Sequence, residues 1–172
     1  METREAILKR KSVRDFDPGR TVDERAIRSI LELGIRAPSA GNLQPWKIFV
    51  VRKPETKRAL AGAAFGQRFV SAAPVVLVVC ADRARAASGY GRRGADLYCI
   101  QDTAALTGNI LLAAADFGLG TCWVGAFDEA RCTEALGIHD ELRPVAIVPV
   151  GYAAGNPAGT GRRPLDEIAV WD

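Results

Sequence analysis

Histidine is nearly absent from this chain. His139 is its only one, and the four cysteines, Cys80, Cys99, Cys122 and Cys132, contain no CxxC pair. That scarcity argues against a Cys/His zinc site, which needs several such ligands at close spacing. Cys80 and Cys122 lie in apolar runs and read as buried thiols, a pattern that fits a reducing compartment. Strong charge is missing too. Lys and Arg total 23 against 20 Asp and Glu, for a net charge of +3, which is too mild to suggest nucleic acid as the main partner. Aromatic residues make up only 7%, and no basic stripe interleaved with them marks a single-strand binder. Long apolar runs are lacking as well. The region near Asp96–Leu119 is broken by Gln101, Asp102, Thr103, Asn109 and Asp116, so it does not read as a membrane span. Met1–Glu5 has no signal-peptide core. The expectation is a soluble, cytoplasmic protein.

What remains is ordinary globular material. The 172 residues are 48% hydrophobic and 25% charged, enough for one domain with a true core. Thr3–Lys9 suits a short helix with Thr3 as N-cap. Thr21–Glu24 opens a second helix, whose apolar face is Ile27, Ile30, Leu31 and Leu33–Ile35, and Pro38 ends it. Trp46–Val51 reads as a strand, Pro54–Ala64 as a helix, and Pro74–Cys80 as a strand covered on both faces. The Gly- and Arg-rich stretch Arg83–Arg93 predicts a surface loop. Gly94–Phe117 predicts a long helix, rich in small residues and buried on several sides, at a natural place for a subunit interface. Leu119–Val124 and Pro144–Val150 read as strands, and Glu129–Leu136 as a helix capped by Asp128. The tail Ala153–Pro164 reads as an arm. Beyond it, Ile168, Val170 and Trp171 are unusually apolar for a loose end, so the terminus is expected to dock on something. The mixture favours an α+β sandwich.

Three stretches carry candidate chemistry. Arg10-Lys11-Ser12-Val13-Arg14 concentrates three cations and a hydroxyl in one place. Guanidinium groups bind phosphate through planar paired bonds, and a serine can add another, so this is a phosphate grip or else a solvated basic turn. Ala37–Trp46 is a loop of small and amide residues. Asn42 and Gln44 can each donate and accept, as a heterocycle edge requires, and the alternative is a plain turn with Pro45 and Trp46 inward. Gly118–Asp128 ends in a small-residue turn whose free N–H groups can face a ligand, or which simply connects a strand to a helix. Gly118-Leu119-Gly120 is no dinucleotide fingerprint, because it follows a helix and lacks the third glycine.

Taken together these stretches resemble the nitroreductase family of FMN-dependent oxidoreductases. Arg10–Phe16 resembles its phosphate motif, and Ala37-Pro38-Ser39 through Asn42, Gln44, Pro45 and Trp46 its second signature. Gly118–Trp123 resembles the third, and Gly151-Tyr152 with Arg162-Arg163-Pro164-Leu165 the last. They occur in family order along nearly the whole chain. The resemblance implies a single domain over 1–172, with an α+β, nitroreductase-like α/β sandwich and a central mixed sheet flanked by helices. It also implies an intertwined homodimer with FMN at the subunit interface and an arm, about 153–172, docking on the partner subunit. By the same resemblance Arg10, Ser12, Arg14 and Arg162 hold the FMN phosphate and ribityl chain, with Lys11 and Arg163 as further candidates. Pro38, Ser39, Ala40 and Asn42 lie near the ring, and Gln67 near its pyrimidine edge. Trp123, Val124, Gly125 and Ala126 wall the ring, with the N–H of Gly125 or Ala126 meeting flavin N5.

The implied activity is hydride transfer from NADH or NADPH to flavin, then reduction of a small organic acceptor such as a nitro compound or quinone. No separate catalytic acid or base is implied, because the flavin carries the chemistry. Two alternatives stay open: a flavin-binding or flavin-buffering protein with little turnover, and a relative that reduces enones or removes halogens. Asp102 and Asn109 on the long helix are interface or active-site groups or structural hydrogen bonders, and His139 reads as a surface residue. The chain is short for the family, and its excursion near Gly89–Gly94 is compact. That departure puts nitroaromatic activity, not flavin binding, in question.

Overall fold

The apolar run Val75–Asp82 forms β2, the strand on which the rest of the molecule is organised. In a computed structural model that describes residues 2–138 and 141–172, every residue from Val75 to Ala81 is buried. Alternation along a strand sends successive side chains to opposite faces. Val76, Val78 and Cys80 enter one apolar cluster, while Val75, Leu77 and Val79 enter another. The long antiparallel β4 (Leu142–Gly151) does the same, with Ile147 on the first face and Ala146, Val148 and Val150 on the second. A strand buried on both faces needs helices on both sides, and those are present.

The sheet has four strands in the order β1 (Trp46–Val51), β2, β4, β3 (Gly120–Thr121), all paired antiparallel. One parallel bridge, Ser12 to Thr121, adds the N-terminal segment beside β3. On the first face lie α3 (Pro54–Ala63), α4 (Arg68–Ala72) and α7 (Glu129–Leu136), contributing Leu60, Val70 and Cys132. On the second lie α2 (Glu24–Gly34), contributing Ile27 and Ile30, and the long α6 (Cys99–Asp116), contributing Leu106, Ile110 and Ala114. The result is an α+β sandwich with helices on both faces of the sheet. No described helix is long and apolar enough to cross a membrane.

Several expectations need adjustment. Helix α1 (Thr3–Lys9) begins at Thr3 itself. Glu2 holds the N-cap position and its side chain caps nothing. Helix α2 is capped by Asp23, whose carboxylate accepts from the Arg25 N–H at 2.8 Å. Arg83–Arg93 is a helix, α5, and not a loop. The Asp82 carboxylate caps it by accepting from the Arg85 N–H at 2.8 Å, and its Ala and Arg residues are good helix formers. The glycines interrupt it only at Tyr90-Gly91, where the backbone leaves helical geometry. A π-helical turn, Gly94–Tyr98, then feeds α6. The strand expected over Leu119–Val124 pairs regularly only at Gly120–Thr121, followed by a single bridge from Val124 to Ile147. The terminal Leu165, Ile168, Val170 and Trp171 are all exposed within one chain. His139 lies outside the described residues.

Candidate functional site

The cationic segment leaves α1 and runs as an extended ribbon against β3. Val13 N–H donates to Thr121 O at 2.8 Å, and Asp17 N–H to Tyr152 O at 2.8 Å. Gly120 makes this approach possible, since a Cβ there would sit 2.6 Å from the Val13 side chain. Val13 and Phe16 turn into the core, while Ser12 and Arg14 stay exposed.

The C-terminal arm comes back to meet this ribbon. Lys11 Nζ donates to Asn156 Oδ1 at 3.2 Å and to Pro157 O at 3.1 Å. Arg10, Lys11, Ser12, Arg14 and Arg162 thereby line one cleft of about 750 Å³, floored by Gly108, Leu111 and Leu112 of α6. Four cations from opposite ends of the chain converge there, and none of them belongs to an ion pair among the described residues. Arg162 folds over its own loop, donating from Nη1 to Thr160 O at 3.1 Å and Gly161 O at 3.0 Å. Arg14 also lies over the Phe69 ring, 6.0 Å from its centroid. Arg163 does not line the cleft and pairs with Glu167 at 3.2 Å. Clustered cations without carboxylates repel one another and favour an anion between them.

The third stretch abuts the first. Cys122 is buried beside the ribbon. Burial pushes its thiol up, while Arg14, a hydrogen bond with Ser12 and Arg10 pull the other way. Val124 is pinned to Ile147 by paired backbone bonds of 2.9 and 3.0 Å. Trp123, Gly125 and Ala126 emerge to the surface, and among the described residues the N–H groups of Gly125 and Ala126 have no acceptor. Gln67 fixes this turn by donating to Ala126 O at 3.3 Å and Ala64 O at 3.0 Å. Just before it, Phe65 is exposed with φ 55°, an outlier for a bulky residue that no sequence signal marks.

The second stretch is built differently. Ala40–Asn42 forms one 3₁₀ turn, and Gly41, Asn42 and Gln44 all have left-handed backbone, with φ of 56°, 55° and 52°. Ser39 Oγ accepts from the Gln44 N–H at 3.0 Å. Helix α5 packs against the loop. Arg85 Nε donates to Leu43 O, and a Cβ at Gly41 would sit 2.7 Å from the Tyr90 hydroxyl. From behind, Asp102 Oδ1 of α6 accepts from the Ala40 N–H at 3.1 Å. Pro38 and Asn42 are exposed, and Ser39 and Ala40 half-buried. None of Pro38, Ser39, Ala40 or Asn42 lines the cationic cleft of its own chain.

Burial pushes the Cys80 and Cys132 thiols up to about 12, which leaves them unreactive. Among the described residues no group of His, Cys, Asp or Glu is arranged to hold a metal ion.

The sequence model of the nitroreductase family matches this chain over residues 7–71 and 63–152. An NADH dehydrogenase of Thermus thermophilus is 36% identical, across 99% of this chain and 96% of its own length. An NADPH-flavin oxidoreductase of Vibrio harveyi is 31% identical, across 96% of this chain and 72% of its own length. In three dimensions the fold superposes on a nitroreductase family protein from Streptococcus pneumoniae with a TM-score of 0.89 and 28% identity, covering 99% of this chain and 100% of that one.

Proposed function

This chain belongs to the nitroreductase family, and on that premise we propose that it is an FMN-dependent NAD(P)H oxidoreductase acting on small organic acceptors. The observation that carries the reading is the cleft in which Arg162 joins Arg10, Lys11, Ser12 and Arg14. The donor set fits a phosphate monoester, because guanidinium groups and a hydroxyl are all donors and no carboxylate competes with the ligand. Bound FMN supplies hydride acceptance from NADH or NADPH and then reduction of a nitro compound, quinone or related acceptor, in a ping-pong cycle.

The chain's own residues bind and orient. Arg10, Ser12, Arg14 and Arg162 hold the phosphate and ribityl chain. Lys11 ties the arm over them through Asn156 and Pro157. The free N–H groups of Gly125 and Ala126 are the donors this chain offers to flavin N5, and Gln67 keeps their turn in place. Trp123 completes that wall, while Val124, expected beside it, is buried in the core and holds the turn from behind through Ile147. Arg163, committed to Glu167, contributes at most long-range charge.

A complete site takes two copies of the chain. Asp102 anchors the Ser39–Gln44 loop, whereas Leu111 floors the cleft. On an α-helix the floor residues Gly108, Leu111 and Leu112 lie about 80–180° round the axis from Asp102 and roughly 9–15 Å along it. One chain therefore presents the cleft and the loop on different sides, and a symmetric pair brings one copy's loop to the other's cleft. Exposed Ile7 and Leu8 of α1 beside the cleft, and exposed Ile168, Val170 and Trp171 in the arm, give that pair apolar surface to bury. The proposed assembly is a homodimer with FMN at the interface; the first part of the arm, through Arg162, stays on its own chain's ribbon, and the exposed apolar end from Leu165 to Trp171 docks on the partner.

The test is anaerobic mixing of the FMN-loaded protein with NADH, and separately with NADPH. Bleaching of the visible flavin band by one donor, and its return on adding a quinone or nitro compound, is expected. A loaded protein that neither donor bleaches would be a flavin binder and not this enzyme. A flavin-loaded monomer would contradict the two-chain site.

A further inference from the structure

The Ser39–Gln44 loop holds two non-glycine residues, Asn42 and Gln44, in left-handed backbone. Such conformations cost free energy and persist only where the surroundings hold them. Most of what holds this loop is local or exposed: the Ser39 hydroxyl, the Gln44 side-chain amide on Asn42, and Arg85 at the Leu43 carbonyl. The exception is Asp102. Its side chain comes from the first turn of the core helix α6, it is only 8% exposed, and one oxygen accepts from the Ala40 N–H. Its other oxygen, Oδ2, is buried with no hydrogen-bond partner, and no described ion pair includes it.

A half-paired carboxylate in the interior is a poor way to stabilise a fold, because burying it costs more than one hydrogen bond returns. An apolar side chain would fill the space at lower cost. What it would lack is an acceptor for Ala40. We propose that Asp102 is a positioning residue: its carboxylate fixes the Ala40 amide, and through it the left-handed backbone of Gly41, Asn42 and Gln44 that faces the flavin ring. The loop's target rests on the function proposed above, while the anchor itself belongs to the chain alone. Asp102 touches neither donor nor acceptor substrate. It acts by setting how the loop meets the ring.

Three variants separate this from a merely structural role. Asp102→Leu removes the acceptor and keeps the bulk. Asp102→Asn keeps an oxygen for Ala40. Ala40→Pro removes the donor and leaves Asp102 intact, at the start of a 3₁₀ turn after an extended Ser39, where proline is tolerated. Hydrogen exchange is read first, on the flavin-free protein. In Asp102→Leu the amides of residues 40–44 should exchange at least about tenfold faster, while those of residues 10–14 stay unchanged. With FMN bound, Asp102→Leu and Ala40→Pro should shift the visible flavin band in the same direction. Both should also raise KM for the acceptor by at least about fivefold, with kcat within about twofold. Asp102→Asn should restore all three readouts. Parent-like exchange in Asp102→Leu would overturn the proposal, and so would an Asn variant as impaired as the Leu variant. If Asp102→Leu does not fold, an unshifted band and unchanged KM in Ala40→Pro overturn it alone. Failure to bind FMN at all would sink the function and leave the exchange result standing.

Discussion

Helix α6 carries the two surfaces proposed to hold the flavin, and they are built on different principles. On the side floored by Leu111 and Leu112, what the surface offers is side-chain charge. Arg10, Arg14 and Arg162 gather round open space, and the backbone beneath them is an ordinary extended ribbon. On the side anchored by Asp102, the one guanidinium at the loop, that of Arg85, is spent on the Leu43 carbonyl. The surface there is the backbone itself, held in an unfavourable shape by a buried hydrogen bond and by α5. A charge can act from an exposed, mobile side chain, because its field reaches several ångströms. A shape acts only if something rigid stands behind it. The comparison predicts that the cleft is sensitive to loss of charge and the loop to loss of support.

The largest expected effects are on the charged side. Arg10→Ala and Arg162→Ala should each weaken FMN by about 1.5–3 kcal/mol, roughly 10- to 150-fold, in a flavin-fluorescence titration. Each should leave thermal stability nearly unchanged, since both side chains make no ion pair among the described residues. Equal loss of affinity in an Asp102 variant would erase the difference between the two surfaces.

Two glycines probe the supports. Alanine at Gly120 would press its Cβ on Val13 and displace the ribbon carrying Ser12 and Arg14. It should lower stability by about 1–3 kcal/mol and weaken FMN as well. Alanine at Gly41 meets the Tyr90 hydroxyl at a left-handed position, for a loss of about 1–2 kcal/mol. It should shift the flavin band while leaving the phosphate's share of binding alone. Melting curves and titrations on the same preparations decide both.

A smaller effect concerns the Asp102 carboxyl, which burial raises above its ordinary range while the Ala40 hydrogen bond partly opposes. A raised folded-state value means that ionisation costs stability. The cost is absent below the unfolded carboxyl value, near pH 4, and grows as pH rises through the folded one. Asp102→Asn should therefore match the parent in acid and become the more stable of the two toward neutral pH, in denaturant titrations across that window.

The smallest effect lies away from both surfaces. Arg143 grips Glu129 through two bonds of 2.9 and 2.8 Å, and both side chains are about half exposed, at 47%. The hydrogen bond to Arg143 lowers the Glu129 carboxyl despite some burial. A lowered value stabilises above the unfolded carboxyl range and is lost as pH falls. Glu129→Gln should cost under about 1 kcal/mol at neutral pH, nothing in strong acid, and no FMN affinity.

What is legible in the sequence follows the same division. The cations are visible because charge is a property of residue type, and Arg162 joins them on the strength of the family's motif order. The central strand is visible because Val75–Val79 is apolar without a break. Shape is harder. Asn42 is of a type that accepts positive φ, but nothing in Gln44 or Phe65 announces one, since there it is imposed by the surrounding fold. Asp102 stands out as an acid in an apolar helix, but its partner Ala40 cannot be named without the fold. Helix α5 reads as a loop because Gly89 and Gly91 outweigh the Asp82 cap, whereas the break occupies only Tyr90 and Gly91. The apolar end reads as a docking segment, and within one chain it stays uncovered.

The most direct measurement compares FMN with riboflavin, which is the same flavin without its phosphate. If the cleft of Arg10, Ser12, Arg14 and Arg162 is the phosphate site, the parent protein should bind FMN at least about a hundredfold more tightly than riboflavin, as two charge-assisted bonds imply. That ratio should collapse toward one in the Arg10→Ala/Arg162→Ala double variant and survive in Asp102→Asn. Equal affinity of the parent for both flavins, or a ratio untouched by loss of both arginines, would mean that the phosphate is held somewhere else.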